Sequence, residues 1–341
     1  MKYEEVMRLL EQGQFAPVYM LYGEESYYID AVADWIESNV LDEAAKAFDQ
    51  TIIYGKDLPG GDVGTVVSAA RGFAMMGGRK VIIVKEAQTI RKWDALGLYM
   101  DAPQSTSLLV FCYKYGAPDK RLSLFKNFEK KGGVMMASDK LRDYQVAGWI
   151  RNYLAERLKE HGGVTVDPRV PQLLADYLGA DLSAIAGAVD KLITGMPADK
   201  KTIDLALVER NIGISKDYNV FELQDALIKG DVLKANRITQ YFATSKDHPM
   251  VKELGILYSF FSNLMIYHYL PDKNERTASA ALGISPYFVK DYAAAARRWS
   301  AGKTFRIIGY FRETDARLKG INNPSAKDDD LWKELIYKIM H

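Results

Sequence analysis

The chain has 341 residues, 48% of them hydrophobic and 26% charged, with 45 basic against 44 acidic side chains for a formal charge of +1. That length exceeds one ordinary core and points to two or three domains, while the composition excludes disordered, collagen-like and membrane-protein classes. The near-neutral balance excludes a global electrostatic drive toward nucleic acid, so any DNA contact must be local.

The first 140 residues alternate short apolar runs with amphipathic stretches, the pattern of a parallel sheet covered by helices. Strands are predicted at 18–22, 51–54, 80–84, 107–113 and 134–137. Four of these runs are rich in Val, Ile, Leu or Met without polar alternation, as expected where helices bury both faces of a sheet. Between them, helices are predicted at 27–39, 62–76, 93–100 and 121–130, a doubly wound β/α order.

From Tyr144 onward the apolar period becomes about 3.6 residues, and no strand is predicted there. Breaks at His161-Gly162-Gly163, Gly195-Met196-Pro197 and Gly213-Ile214-Ser215 divide this part into a small helical domain, 141–213, and a helix bundle, 214–341. Bundle helices are expected at 221–227, 232–242, 249–270, 285–299, 304–318 and 329–340. The apolar segment 255–270 is shorter than a bilayer span and carries Ser259, Ser262, Asn263 and His268, so it reads as a buried helix. Acidic residues at the start (Glu4, Glu5) give no indication of export, and the single Cys112 suits a reducing compartment, so a cytoplasmic location is expected.

A strand, a glycine and a helix at Val18 to Gly23 form the context of a phosphate-binding loop. Such a loop needs Gly-x-x-x-x-Gly-Lys-Ser/Thr, whose amides and lysine balance phosphate charge while the hydroxyl holds magnesium. Here the run is Gly23-Glu24-Glu25-Ser26-Tyr27-Tyr28, with two carboxylates and no lysine. Glu24 and Glu25 beside a triphosphate would add repulsion; as N-terminal helix residues they are instead favoured by the macrodipole. The strand 81–84 ends in Lys85-Glu86, with a lysine where a working NTPase of this type would place a magnesium-holding acid. The two departures together predict a catalytically dead domain with no nucleotide or other cofactor.

No other constellation supports catalysis. His161, His248, His268 and His341 lack metal-ligand spacing, and Cys112 within Leu-Leu-Val-Phe-Cys-Tyr reads as a core thiol. The basic pairs Lys130-Lys131, Lys200-Lys201 and Arg297-Arg298, the last followed by Trp299, are the only hints of phosphate contact, and each reads first as solvated surface.

The most informative segment runs from Val63 to Arg79. At about 100° per residue, Val63, Val66, Val67, Ala70 and Ala74 share one face and seat the predicted helix on the sheet. Phe73 lies at the edge of that stripe, Met75 and Met76 lie outside it, and Gly77-Gly78 end the helix. Spacing leaves two readings open. Apolar residues near a helix end belong to a core more often than to an interface, yet an exposed tip of this kind suits insertion into a partner's pocket.

Four segments together resemble one family, the delta subunit of the bacterial DNA polymerase III clamp loader. They are Pro17-Val-Tyr-Met-Leu-Tyr-Gly-Glu-Glu25, Phe73-Ala-Met-Met-Gly-Gly-Arg-Lys-Val-Ile-Ile-Val84, Asn219-Val-Phe-Glu-Leu-Gln-Asp-Ala-Leu227 and Glu313-Thr-Asp-Ala-Arg-Leu-Lys-Gly320. The resemblance implies an α/β AAA+-like first domain of the P-loop NTPase type with a parallel sheet (1–140), an all-α lid (141–213) and an all-α collar (214–341). It also implies no ATPase activity, and a wrench-like role in which Phe73, Met75 and Met76 enter a pocket of the sliding clamp, the beta subunit, and help hold the ring open. This sequence places Met-Met where Leu-Phe is typical of the family, keeping the apolar character. Implied partners are the motor and delta-prime types of loader subunit through the collar, and primed DNA within the assembled complex, with no membrane. Two other readings are an active AAA+ ATPase with an unusual phosphate loop and a stand-alone DNA-binding protein. Mg-nucleotide titration and salt-sensitive DNA affinity separate these from the first.

Overall fold

The computed structural model describes every residue except Gly77, Glu160, Ala198, Lys216, Lys246, Asp247, Asn323 and Pro324. The chain forms two compact units, Met1–Leu141 and Arg142–His341.

The first unit runs α1 (Tyr3–Glu11), β1 (Val18–Gly23), α2 (Ser26–Asn39), α3 (Glu43–Asp49), β2 (Gln50–Tyr54), α4 (Gly64–Arg71), β3 (Lys80–Lys85), α5 (Asp94–Tyr99), β4 (Ser107–Lys114), α6 (Ser123–Lys126) and β5 (Val134–Ser138). Its five strands are all parallel, in the order β2-β3-β4-β1-β5. Consecutive residues point to opposite faces of a strand, which explains why the inner strands read as unbroken apolar runs. Met20, Ile82, Val84, Leu109 and Phe111 pack on one face with α4, α5 and α6. Tyr19, Leu21, Val81, Ile83, Leu108 and Val110 pack on the other with α1 and α2. Cys112 is buried on this second face, where burial pushes its thiol up to about 12, the environment of a core residue.

The five predicted strands are present, each within a residue of its expected ends. The short α1 and α3 were not visible as periodic segments. The predicted helix 62–76 is cut back to Gly64–Arg71, because its last carbonyls are taken by groups from elsewhere. In a continued helix Ala69 and Ala70 would accept from the amides of Phe73 and Ala74. Instead Ala69 O accepts from Lys80 Nζ (3.2 Å) and Gly72 N (3.2 Å), and Ala70 O from Ser107 Oγ (2.6 Å). The segment from Phe73 to Met76 is therefore a loop rather than a helix tip, and Gly77 lies outside the described residues. The predicted helix 121–130 is likewise only Ser123–Lys126, where the Asn127 side chain donates to the Ser123 carbonyl (3.0 Å).

The second unit runs α7 (Asp143–Arg157), β6 (Thr165–Val166), α8 (Val170–Leu178), α9 (Leu182–Thr194), β7 (Thr202–Ile203), α10 (Leu205–Ile212), α11 (Val220–Lys229), α12 (Val232–Thr244), α13 (Met250–Tyr269), α14 (Glu275–Leu282), α15 (Val289–Arg298), α16 (Ala301–Leu318) and α17 (Asp328–Met340). The expectation of an all-α segment over 141–213 needs one correction. Thr165–Val166 and Thr202–Ile203 pair in parallel, with Thr165 N donating to Lys201 O and Asp167 N to Ile203 O, both at 2.9 Å. Two residues are too few to show a period of two in the sequence. Helix α14 also went unpredicted, since its exposed residues dilute the apolar stripe to Ala278 and Leu282.

Side-chain caps set where several of these helices begin. Asn219 accepts from Phe221 N and Glu222 N, Asp231 from Lys234 N, Asn274 from Thr277 N and Ser300 from Lys303 N, each satisfying amides that the first turn leaves open. The bundle then closes around Phe242, Phe261, Phe311 and Trp332, all fully buried. Trp299 joins this core at 3% exposure and donates its indole N–H to Ile339 O (3.1 Å), so it is no base-stacking platform beside Arg297 and Arg298. Segment 255–270 is the greater part of α13, and among the described residues no helix is long and apolar enough to cross a membrane.

Candidate functional site

The two sites anticipated from sequence lie at opposite ends of the first unit's sheet. Gly23, Glu24 and Glu25 follow the carboxyl end of β1, the end at which open α/β sheets hold ligands. Phe73, Met75 and Met76 precede β3 and so lie at the amino end.

At the carboxyl end only Glu24 and Glu25 separate β1 from α2. The connection is far shorter than a phosphate cradle, and its backbone is bonded to neighbouring strand ends. Tyr115 N donates to Gly23 O (2.8 Å), Glu25 N donates to Ser138 O (3.0 Å) and Ser138 Oγ donates to Glu25 O (2.6 Å). Gly23 has φ +144°, and a Cβ there would stand 2.0 Å from Ser138 O, so β5 approaches too closely for any side chain. Glu25 is buried at 6% exposure and caps α2, its Oε1 accepting from Tyr27 N (3.0 Å). The helix N-terminus that would attract a phosphate thus already holds a carboxylate of its own chain. Glu24 is exposed. Lys85 sits at the end of β3 with Nζ 3.8 Å from Glu37 Oε2, a cation paired with α2. Among the described residues no group of three or more His, Cys, Asp and Glu side chains could hold a metal ion.

At the amino end the backbone is likewise secured, but the side chains are open. Phe73 is 79% exposed, Met75 74% and Met76 55%. Of the five residues that the helical wheel set on one face, Val63, Val66, Val67 and Ala70 are buried, while Ala74 lies beyond the helix and is half-buried. The loop begins where Lys80 and Ser107 close the last carbonyls of α4. It is then fixed by Asp49, the last residue of α3, whose Oδ1 accepts from Met75 N (2.6 Å) and Oδ2 from Met76 N (2.8 Å). Those two amides hold the Asp49 carboxyl below the ordinary carboxylate range, with burial opposing them and Lys80 assisting.

Sequence reasoning passed over Asp49, and no local signal could have found it, because its partners are 26 and 27 residues away. It also passed over Phe48, 55% exposed beside Asp49, and the exposed Ile52 of edge strand β2. Of the basic pairs, Lys131 binds Asp101 (2.5 Å) and Lys200 binds Asp204 (2.8 Å), while Arg297 and Arg298 are exposed.

The chain as a whole is similar to proteins of known kind. A profile described as DNA polymerase III, delta subunit, matches residues 19–138, and one described as DNA polymerase III delta subunit, C-terminal domain, matches 217–329. The chain is 24% identical to DNA polymerase III subunit delta of Bacillus subtilis, over 97% of this chain and 94% of that one. It is 22% identical to a probable DNA polymerase III subunit delta of Aquifex aeolicus, over 80% of this chain and 77% of the other. The solved Bacillus subtilis DNA clamp loader delta protein (YqeN) shares the fold with a TM-score of 0.52 at 22% identity, covering 99% of each chain.

Proposed function

Because this chain belongs to the DNA polymerase III delta-subunit family, we propose that its role in the clamp loader is to grip the sliding clamp through Phe73, Met75 and Met76, without chemistry of its own. The observation that carries this reading is three large apolar side chains in open solvent on a loop whose backbone is bonded from inside. Side chains merely left over from a core would not be exposed on a fixed support. Burying each in a partner's pocket is worth about 1.5–3 kcal/mol, enough for three to anchor a complex. Methionine adapts its shape to such a pocket, so Met-Met serves where other apolar pairs would.

The carboxyl end of the sheet supports the non-catalytic half of the reading. A two-residue connection, a buried capping carboxylate and Lys85 in place of an acid all oppose triphosphate and magnesium. ATP then acts on the loader's motor subunits and controls when the tip is presented. Residues 141–213 form the lid and 214–341 the collar that assembles with motor and delta-prime subunits. Primed DNA is met only in that assembly, and the role places the protein in the cytoplasm.

Binding of the purified full chain to its cognate clamp, beside a Met75→Ala/Met76→Ala variant, tests the contact. Wild-type binding that the folded variant loses supports it; equal binding by both removes the assigned residues. Saturable Mg-ATP binding by the isolated chain would favour the active-ATPase alternative instead.

A further inference from the structure

Within unit 1, the most unusual polar group outside any assigned role is the carboxylate of Asp49. It is fully buried, at 0% exposure, yet no side-chain cation lies within ion-pair distance of it among the described residues. Its two oxygens are instead spent on two consecutive backbone amides of one surface loop. A charged acceptor on two amide donors is roughly twice as strong as a neutral one and admits few backbone geometries. Met75 and Met76 are the residues so held, and both of their side chains stand in solvent.

We propose that Asp49 is a positioning residue for the clamp contact: it fixes the backbone of Met75 and Met76 so that both side chains face outward before the clamp arrives. This rests on the clamp-binding reading above. Solvent-exposed methionines on an untethered loop would fold back over apolar surface or sample many conformations, and binding would then carry the cost of ordering them. The tether comes from the last residue of α3, directly before edge strand β2 begins, so the rigidity of the sheet edge passes to the loop. Lys80 assists. The side chain that closes Ala69 O at the end of α4 also lends its charge to the field at Asp49.

The test uses the full chain and its cognate clamp, with Asp49→Asn and Asp49→Ala made in the wild-type and in the Met75→Ala/Met76→Ala backgrounds. Hydrogen exchange at Met75 and Met76 is read without clamp. In the wild-type background Asp49→Ala should weaken clamp binding roughly tenfold and Asp49→Asn, which keeps one acceptor, by less. Exchange of the two amides should quicken in the same order. In the methionine-free background Asp49→Ala should change residual binding little, because a positioning residue acts only through what it positions. A purely structural role would weaken binding equally in both backgrounds. If Asp49→Ala does not fold, the isosteric Asp49→Asn decides. Asp49 variants that bind the clamp as tightly as wild type, while the methionine variant does not, overturn the proposal. Equal binding by wild type and the methionine variant overturns the clamp-contact reading instead, whatever Asp49 does to exchange.

Discussion

A Cβ atom on Gly23 would stand 2.0 Å from the carbonyl oxygen of Ser138, so β1 ends in glycine because β5 leaves no room for a side chain. In a working phosphate loop glycine serves the ligand, letting the backbone approach phosphate oxygens. Here the close approach is between two strand ends of the same sheet, and Ser138 Oγ reinforces it by donating to Glu25 O at 2.6 Å. The glycine is kept and its use has changed.

Gly23→Ala should therefore damage folding rather than ligand binding. The side chain must displace backbone, and φ of +144° is unsuited to an L-residue, so a loss of about 2–4 kcal/mol is expected. Denaturant titration read from first-unit amide exchange measures it, with β1 and β5 losing protection together. A variant as stable as wild type would mean that the strand ends separate easily.

The exposed tip should behave in the opposite manner. Phe73→Ala, Met75→Ala and Met76→Ala remove side chains that contribute little to the core, so each should change stability by less than about 0.5 kcal/mol. Phe111→Ala, in the fully buried layer between β4 and its covering helices, should cost about 3–5 kcal/mol. Thermal unfolding of the four variants side by side checks the contrast.

Cys112 should be inert in the native protein. Burial pushes its thiol up to about 12, so almost no thiolate exists near neutrality and reagent cannot reach it. A chromogenic disulfide reagent should titrate no thiol in buffer and one per chain in denaturant. Rapid labelling in buffer would show that β4 opens locally.

In the second unit, burial pushes the Asp176 carboxyl up to about 7, against a hydrogen bond from Gln172 and with Glu253 adding repulsion that Lys252 partly offsets. Its folded pKa lies above its unfolded one, so the protonated acid favours the native state. That contribution is complete below the ordinary carboxylate range, declines as pH rises toward about 7 and is gone above it. Stability of this unit should fall between about pH 4 and pH 7 relative to an Asp176→Asn variant, which should be the more stable of the two at pH 8. Parallel pH-dependent unfolding curves for the two proteins would remove Asp176 as the source.

How much of this was open to sequence reading followed the range of the interactions. The five strands of the first unit were legible because a strand buried on both faces must be apolar at every position, a rule satisfied within six or eight residues. The defect of the phosphate loop was legible for the same reason. Two carboxylates and a missing lysine oppose a triphosphate in any fold that places them after β1. The apolar character of Phe73, Met75 and Met76 was equally local, but their exposure was not, since a helical wheel does not apply to residues that lie in a loop.

Tertiary structure decided what lies around those residues. The helix preceding the tip stops at Arg71 because Lys80 and Ser107, 11 and 37 residues further on, take the carbonyls it would have used. Asp49 fixes the loop across 26 residues, and Ser138 excludes a side chain at Gly23 across more than a hundred. Periodicity and composition record what a segment buries. They carry no record of which remote hydrogen-bond partner completes its backbone, because any buried acceptor with the right geometry would serve, and only the folded chain selects one.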